Sequence, residues 1–369
     1  MKDDIRVCRE MTKSVSNELP LFPKSTLGID LGDRFCHCCA LDYRGEVVER
    51  FRFETAKAGL AKAFENRPPC RVVLEVGTHS PWVSRALGAL GHEVIVANAR
   101  EVQSVTKSDR KNDANDAVQL ARLGRADPKL LHPIAHRQED TQRDRALLTV
   151  RDKLVQVRAS LIVQARGIAK ALGERLPKST TPAMAKRVRE EGFANLFPGM
   201  SSLLEVVELL SEQIRELDSE IEKVSKERYP ETELVRQVKG VGPITSLAYV
   251  LTIEDPARFA RSRSVGVYLG MRPCQRDSGD RNPHLSINKA GDPYLRNLLV
   301  ECAQYILSRG PDSDLRRFGE RIVERGGPGA RQRAVVAIAR KLAVLLHSLW
   351  RTAEVYDPLR QAQVTEATA

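Results

Sequence analysis

The chain has 369 residues, of which 42% are hydrophobic and 29% charged, and its formal net charge is +11. This length predicts two or three domains with substantial cores, and no run of 18 apolar residues is present to form a transmembrane helix. The basic surplus favours a polyanionic partner, most simply nucleic acid, over an unspecialised basic protein. An aromatic content of 5% argues against binding by base stacking on aromatic platforms.

Residues 1–24 are polar and mixed in charge, without the apolar core of a signal peptide, and they predict a disordered leader. Three of the seven cysteines cluster at Cys36, Cys38 and Cys39, inside a strand-like segment. No Cys/His partner set lies at zinc spacing, so we interpret them as reduced core thiols rather than metal ligands. Such cysteines are typical of a cytoplasmic protein.

The segment 25–125 alternates between strand and helix patterns. Strands are predicted at Leu27–Asp30, Phe35–Leu41, Val47–Phe53, Arg71–Glu75 and Glu93–Ala97, and helices at 55–65, from 80 to about 90, and at 113–123. The turn signal at Asp42–Gly45 makes the second and third strands antiparallel. Thr55 is expected to cap the first helix, and Ser80, followed by Pro81, the second. Three strands, helix, strand, helix, strand, helix is the order of a ribonuclease H-like fold.

Four carboxylates of this segment are spaced like a two-metal phosphodiester site. Asp30 lies in the first strand, Glu75 ends the fourth, and Asp113 and Asp116 share one face of the third helix. Two Mg²⁺ ions about 3.5–4 Å apart can clamp the attacking and leaving oxygens of a phosphoryl transfer. The alternative is that Asp113 caps its helix and Asp116 complements the helix dipole. Lys111 either holds a phosphate or is a surface charge.

The start of the chain has a second interpretation. Gly28-Ile29-Asp30-Leu31-Gly32 also suits the first phosphate loop of actin-like ATPases and sugar kinases. Those proteins need a second glycine-rich phosphate loop and an adenosine motif, and the sequence contains neither.

Residues 138–228 predict a helical, coiled-coil arm. One helix runs from about 138 to 172 and a second from about 201 to 226, with apolar residues at heptad-like spacing: Leu203, Val206, Leu209, Leu210, Ile214, Leu217, Ile221 and Val224. The arm is either a spacer or a dimerisation element.

Residues 231–356 form the last predicted domain, which is mainly helical, and 357–369 a flexible tail. Gly240 and Gly242 lie in a helix-hairpin-helix-like turn, which is either a DNA phosphate contact or a tight helix turn. Residues 271–291 are predicted to be loop, followed by helices at 292–308 and about 329–356. The last helix has a basic face of Arg331, Arg333, Arg340 and Lys341. These charges are either solvated or in contact with a nucleic-acid backbone.

Taken in order, these motifs resemble the DEDD-type insertion-sequence transposases that a bridge RNA guides. The resemblance covers about 25–356 and rests on several stretches: Gly28–Gly32, Leu74–Trp82, Asp109–Ala117, Gly240–Pro243, Tyr268–Gly270, Asp277–Gly279 and Lys289–Asp292. Two positions depart from the family pattern. Asp277 stands where that pattern has Gln or Ser, and Asn288 where it has Ser or Thr.

The resemblance implies an RNA-guided DNA recombinase of bacterial cells. Asp30, Glu75, Asp113 and Asp116 become the Mg²⁺ ligands of a RuvC-like domain, and Ser278 becomes the nucleophile that forms a covalent phosphoserine link to DNA. Active sites would combine domains from different subunits of a homo-oligomer, a dimer or tetramer. Without the resemblance, Ser278 is simply a turn serine beside Gly279.

Two other functions remain open at this point. A RuvC-like nuclease would use water as the nucleophile and would leave no protein–DNA adduct. A catalytically inactive regulator would bind nucleic acid without turnover.

Overall fold

The computed structural model describes residues 25–99, 113–274 and 285–360. The predicted leader, and the predicted tail beyond residue 360, therefore lie outside the described residues. The chain forms two compact units, which divide between Arg137 and Gln138. Each unit is described by itself, and the predicted split of residues 138–356 into an arm and a C-terminal domain stays a prediction.

The first unit contains five strands and three α-helices among its described residues. They are β1 Thr26–Leu31, β2 Phe35–Leu41, β3 Val47–Glu54, α1 Lys57–Phe64, β4 Arg71–Glu75, α2 Ser80–Ala89, β5 Glu93–Ala97 and α3 Asp113–Ala126. The strands form one sheet in the order β3-β2-β1-β4-β5. β1, β2 and β3 are antiparallel, whereas β4 and β5 run parallel to β1. This order and topology agree with the predicted ribonuclease H-like fold.

Helices cover both faces of the sheet. Every strand buries side chains on at least one of these two faces, and the helices shield those side chains from water. On one face, α1 and α2 contribute Leu60 and Val83, which pack with Leu27, Ile29 and Leu74 of the strands. On the opposite side, Val73 packs with Leu120 of α3 in one cluster, and Cys39 packs with Ala117 in another. Cys36, Cys38 and Cys39 are all buried, as predicted for core thiols.

Two predicted helix caps are each wrong by one residue. α1 begins at Lys57 after Ala56, and Thr55 instead donates its hydroxyl to the Gly32 carbonyl at 2.8 Å. α2 already includes Ser80, whose hydroxyl bonds to Gly77 rather than to the helix. Both hydroxyls stabilise the loops that leave β1 and β4, which competes with capping.

The second unit is all-helical in the residues that are described, apart from one isolated bridge. Its α-helices are α4 Glu139–Ala171, α5 Met184–Glu190, α6 Met200–Arg228, α7 Thr232–Arg236, α8 Pro243–Ile253, α9 Arg263–Tyr268, α10 Pro293–Ser308, α11 Asp314–Glu324 and α12 Ala330–Thr352. The predicted helices near 138–172, 201–226, 292–308 and 329–356 are confirmed as α4, α6, α10 and α12. None of the described helices is long and apolar enough to cross a membrane.

α4 and α6 pack antiparallel to each other, because residues early in one helix meet residues late in the other. Arg151 donates to Asp218 at 2.8 Å and Asp144 accepts from Arg228 at 2.6 Å. The buried residues of α6 are spaced three or four apart, except for a step of seven between the fifth and the sixth: Met200, Leu204, Val207, Ser211, Ile214, Ile221 and Ser225. Only Ile214 and Ile221 of the predicted apolar set are among them, while Val206 and Leu209 are exposed. Whether this pair is a coiled-coil arm stays a prediction.

A buried arginine that forms an ion pair with no carboxylate of the described residues lies inside this helix pair. The guanidinium of Arg158 donates to the Ser211 hydroxyl at 3.1 Å, and its Nε has no partner in the described part of the chain. Burial lowers the pKa of Arg158, since the low-dielectric interior disfavours its charge. Ser211 keeps its own bond to the Val207 carbonyl, so it does not depend on the arginine.

Replacing Arg158 with Met is therefore expected to stabilise the second unit. A buried charge replaced by an apolar side chain of similar volume gains about 1–2 kcal/mol, which raises the melting temperature by roughly 2–4 °C per kcal/mol. Thermal unfolding followed by circular dichroism measures the shift. In the matched control, Arg151→Met, Asp218 loses its partner, and the melting temperature should stay level or fall. A lower melting temperature in Arg158→Met would show that the surroundings of Arg158 already compensate its buried charge.

α8 is the central helix of the C-terminal core. All nine residues 245–253 are buried, and the Tyr249 hydroxyl donates to the Ala343 carbonyl of α12 at 2.7 Å. A helix that is apolar on all sides has no helical periodicity. For this reason the periodicity of the sequence does not predict α8, although its apolar stretch is plain.

Candidate active site and nucleic-acid interface

Asp30 and Glu75 occupy neighbouring positions at the carboxyl ends of two parallel strands. Ile29 of β1 pairs with Leu74 of β4, so the next residue along each strand is one of the two carboxylates. Adjacent strands lie about 4.8 Å apart, and residues in register point to the same face. The predicted convergence of Asp30 and Glu75 is thus a consequence of sheet register. Both side chains are half-buried.

α3 crosses this same face of the sheet at Gly28. A Cβ at Gly28 would lie 2.0 Å from the Ala117 carbonyl oxygen and 2.6 Å from the Ala121 nitrogen. Because side chains alternate along a strand, Asp30 lies on the face that Gly28 offers to α3. The glycine permits a backbone-to-backbone approach at this crossing.

α3 runs antiparallel to β1, so its first turn lies near the carboxylates. Its last turn is held at the opposite end of the sheet, where Arg71, the first residue of β4, donates to the Gly124 carbonyl at 3.1 Å. From Ala117 back to Asp113 is about 6 Å of helix, and from Gly28 to Asp30 is about 6.6 Å of strand. The first turn of α3 and Asp30 therefore reach the same edge of the sheet.

The two helical aspartates are described to different extents. Asp116 is half-buried, one residue before Ala117. Asp113 is the first residue of α3, one turn before Ala117, and its side chain lies outside the described residues. The described side chains include no group of three or more His, Cys, Asp or Glu placed to hold a metal ion. The quartet as a whole stays a prediction.

The donor chemistry at this edge nevertheless fits a hard divalent cation. Mg²⁺ is bound in proteins through one or two carboxylates plus water and substrate phosphate oxygens. Asp30 and Glu75 supply two such carboxylates from rigid strands, and His37 lies beside Asp30 as its register partner on β2. The residues present are therefore compatible with Mg²⁺.

The predicted nucleophile follows a tightly built loop base in the second unit. Ser278 lies outside the described residues, but its flanks pair: the Cys274 amide donates to Ser286 and the Asn288 amide to Arg272, both at 2.9 Å. The buried Arg296 guanidinium donates to the carbonyls of Leu269 and Gly291 at 3.1 and 3.3 Å. Arg296 thus joins the two ends of the loop.

Asn288 has a local role that accounts for its place in this loop. Its side-chain oxygen accepts from the Ala290 amide at 3.2 Å. Ser and Thr hydroxyls make the same kind of short-range bond to the backbone, so the departure from the family pattern preserves the turn. Asp277 lies outside the described residues.

Comparisons with known proteins match both units. A model of DEDD transposases of the IS110 type, described as "Transposase", matches residues 27–172, and a model described as "Transposase IS116/IS110/IS902 family" matches residues 232–320. The chain belongs to the IS110 family of transposases. The first match contains the three described carboxylates and Asp113, and the second contains the segment with Ser278.

Curated relatives extend the likeness over nearly the whole chain. The transposase for insertion sequence element IS1111A of Coxiella burnetii is 29% identical, over 89% of this chain and 90% of its own length. The transposase for IS1328 of Yersinia enterocolitica is 29% identical, over 78% and 85%. A probable family 20 transposase of Pseudomonas aeruginosa is 26% identical, over 90% and 99%. Transposases act on DNA, and the DEDD type suggests use of a divalent metal.

The predicted nucleic-acid residues of this transposase fall into distinct environments. Gly240 has φ +102°, and a Cβ there would lie 2.8 Å from the ring of Tyr305, whereas Gly242 has open space around it before α8. Gly240 is therefore required by the backbone turn itself. The helix-hairpin-helix assignment and the DNA contacts stay predictions, as does Lys111, which lies outside the described residues.

The basic face of α12 is only partly available to a phosphate. Arg333 donates to the carbonyls of Gly326 and Pro328, where it supports the turn before the helix. Lys341 lies 3.9 Å from the centre of the Phe318 ring, and burial lowers its pKa. Arg331 is exposed.

Two arginines that the sequence pattern does not single out lie opposite this face. Arg261 and Arg263 line the same cleft as Arg340, and no described residue forms an ion pair or hydrogen bond with any of these three guanidinium groups. The signal for them was weak, since Arg261-Ser262-Arg263 reads as an ordinary polar turn. Their neighbourhood to α12 depends on packing between α9 and α12.

Proposed function

We propose that this IS110-family protein is an RNA-guided DNA transposase that exchanges strands through a covalent phosphoserine intermediate. The observation that carries the proposal is the register of β1 and β4, which places Asp30 and Glu75 side by side where α3 begins. Family membership supports DNA as the substrate. The net charge of +11 fits large polyanionic partners, both DNA and guide RNA.

Asp30, Glu75, Asp113 and Asp116 would hold Mg²⁺ in this proposal. Bound Mg²⁺ stabilises negative charge that develops on phosphate oxygens during phosphoryl transfer. The chain's own task is to hold the carboxylates rigidly, which strand ends and a close-packed helix do well.

Ser278 is the proposed nucleophile. Its hydroxyl oxygen forms a bond to phosphorus, the bond from phosphorus to one deoxyribose oxygen breaks, and the serine proton is transferred to that leaving oxygen. The number of phosphoester bonds is unchanged, so the strand can be rejoined without ATP. A serine hydroxyl is weak as a nucleophile at neutral pH and needs activation.

The loop base described above supports this role for Ser278. Arg296 and the paired backbone amides hold the two ends of the loop close together. Catalytic groups are effective when rigid elements position them. We further propose that a guide RNA selects the DNA sites and that a homo-oligomer, a dimer or tetramer, brings the two units of different subunits together.

The test is a denaturing gel of the full-length protein with its element-end RNA, labelled matching DNA and Mg²⁺. Wild type should give a labelled band that migrates with protein, and Ser278→Ala should give none. Ser264→Ala, which changes an exposed serine of the same unit, should retain the band. Cleaved DNA without an adduct in both wild type and Ser278→Ala would instead identify a RuvC-like nuclease that uses water.

A further inference from the structure

The second unit contains a large cleft whose described lining includes residues that precede and follow Ser278 in the sequence. The cleft has a volume of about 1500 Å³, which exceeds the roughly 300–1,000 Å³ of small-molecule sites. Its walls include Ser286, Ile287 and Lys289, which follow Ser278 along the chain. Neither the family match nor the sequence analysis assigns it a ligand.

One wall of the cleft is a continuous face of α12. The lining residues of this face repeat every three or four positions: Arg333, Ala337, Arg340, Val344, Ser348 and Arg351. From Arg333 to Arg351 the helix rises about 27 Å. The cleft is therefore long, which suits a polymer better than a compact ligand.

Its rim is strongly cationic. Eight Lys or Arg and two Asp are among the described residues that line it. Arg261, Arg263 and Arg340 have no ion pair or hydrogen bond with any described residue, and Lys289 is exposed. Unpaired arginines along a groove attract phosphates and bind them bidentately.

Its floor is apolar. Val336, Val344 and Leu345 of α12 contribute aliphatic surface, and Phe318 of α11 contributes a ring, one face of which Lys341 contacts. A duplex keeps its bases stacked inside and offers no apolar surface to such a floor. An unpaired strand exposes apolar base faces as well as phosphates, so a cationic groove with an apolar floor can contact both parts of it.

We propose that this cleft binds a short stretch of unpaired DNA, with phosphates on Arg261, Arg263 and Arg340 and bases against the α12 floor. The proposal rests on the proposed function, because strand exchange must expose unpaired DNA near Ser278. An acidic peptide would satisfy the rim but would leave the floor uncovered.

Fluorescence anisotropy of the full-length protein with a labelled 12-nucleotide DNA of mixed sequence tests the proposal. Arg261→Gln with Arg263→Gln should weaken binding at least tenfold at low salt. Because each phosphate contact on a single strand contributes about 0.7 to the slope of log K against log salt, the slope should fall by about 1.4. The matched control changes two exposed arginines outside the cleft, Arg187→Gln with Arg215→Gln, and should change neither value.

A second variant tests the floor. Val344→Asp places a carboxylate among the proposed base contacts, and it should weaken the 12-mer while leaving binding of an abasic 12-mer less affected. Thermal unfolding verifies that each variant is folded.

Several results would overturn the proposal. The proposal is wrong if the variant with Arg261→Gln and Arg263→Gln binds the 12-mer with unchanged affinity and unchanged salt slope. It is also wrong if the control variant, Arg187→Gln with Arg215→Gln, loses as much affinity. Tighter cleft-dependent binding of an RNA 12-mer would reassign the cleft to RNA, and displacement by poly-glutamate but not by DNA would reassign it to an acidic protein. The assay needs neither guide RNA nor strand cleavage, so it measures binding in the cleft independently of serine catalysis. Failure of the cleft and failure of serine catalysis are thus distinguishable.

Discussion

Replacing Asp30 with Asn should remove DNA cleavage and strand exchange by more than about 100-fold. Changing a residue that only supports the ligands of a metal site already lowers metal affinity or activity by about 10–100-fold. Asp30 is proposed to be a direct ligand, so the loss should be larger. The substitution keeps the shape of the side chain but removes its charge. Because β1 lies at the centre of the sheet, its backbone should remain in place.

Two measurements separate loss of the metal site from loss of the fold. Mg²⁺ that binds only the folded wild type raises its melting temperature by mass action, and this shift should disappear in Asp30→Asn. Asp33→Asn is a matched control three residues away, because the Asp33 side chain is 98% exposed. The control should retain both cleavage and the Mg²⁺ shift. Normal cleavage in Asp30→Asn would exclude Asp30 from the site.

Adding one methyl group at Gly28 should damage both stability and catalysis. In Gly28→Ala the new Cβ would lie 2.0 Å from the Ala117 carbonyl oxygen, whereas Cβ atoms essentially never lie closer than 3.0 Å to a non-bonded neighbour of this kind. The obstacle is helix backbone, which cannot rotate away, so α3 must lift by about 1 Å. We expect a loss of about 3 kcal/mol in the free energy of unfolding, at the upper end of overpacking effects.

The same displacement should reach the site, because Asp116 precedes Ala117 on the helix that moves. A misplacement of about 1 Å in a catalytic arrangement can cost about 100-fold in rate. Urea unfolding and the cleavage assay, done on the same preparation below the unfolding transition, measure the two effects.

Gly88→Ala is the matched control for the effect of an added methyl group. Gly88 lies near the end of α2 with nothing within 4 Å of its Cβ position. There alanine should stabilise by about 0.5–1 kcal/mol through helix propensity. Equal behaviour of the two variants would contradict the close crossing of α3 over β1.

Most of the first unit could be predicted because its signals are local. Phe35–Leu41, Arg71–Glu75 and Glu93–Ala97 are bounded in the structure as the apolar patterns predict. Asp30 and Glu75 were identifiable because a carboxylate in an apolar strand is costly without a partner or metal. Thr55 and Ser80 were assigned wrongly, since a hydroxyl before a helix can bond to a loop instead.

The α4–α6 pair shows what the sequence pattern of a single helix cannot predict. Leu209 and Val206 satisfy a heptad in the sequence but are exposed, whereas Ser211 and Ser225 are buried. The buried stripe depends on what the facing helix offers, and Arg158 on α4 requires a polar partner at that level. Sequence spacing alone cannot express such pairing.

Local sequence was enough to specify the strands and the long helices, because periodicity and burial costs act over a few residues, and it predicts which carboxylates form the site. The side-by-side placement of Asp30 and Glu75 depends on pairing between strands more than 40 residues apart, and the approach of α3 on the fit of Gly28 to Ala117. The cleft depends on the same kind of long-range contact, since Arg261 and Arg340 share it only because α9 packs on α12. The spacing of residues along the chain does not predict these contacts, because they form only when distant elements pack together in three dimensions.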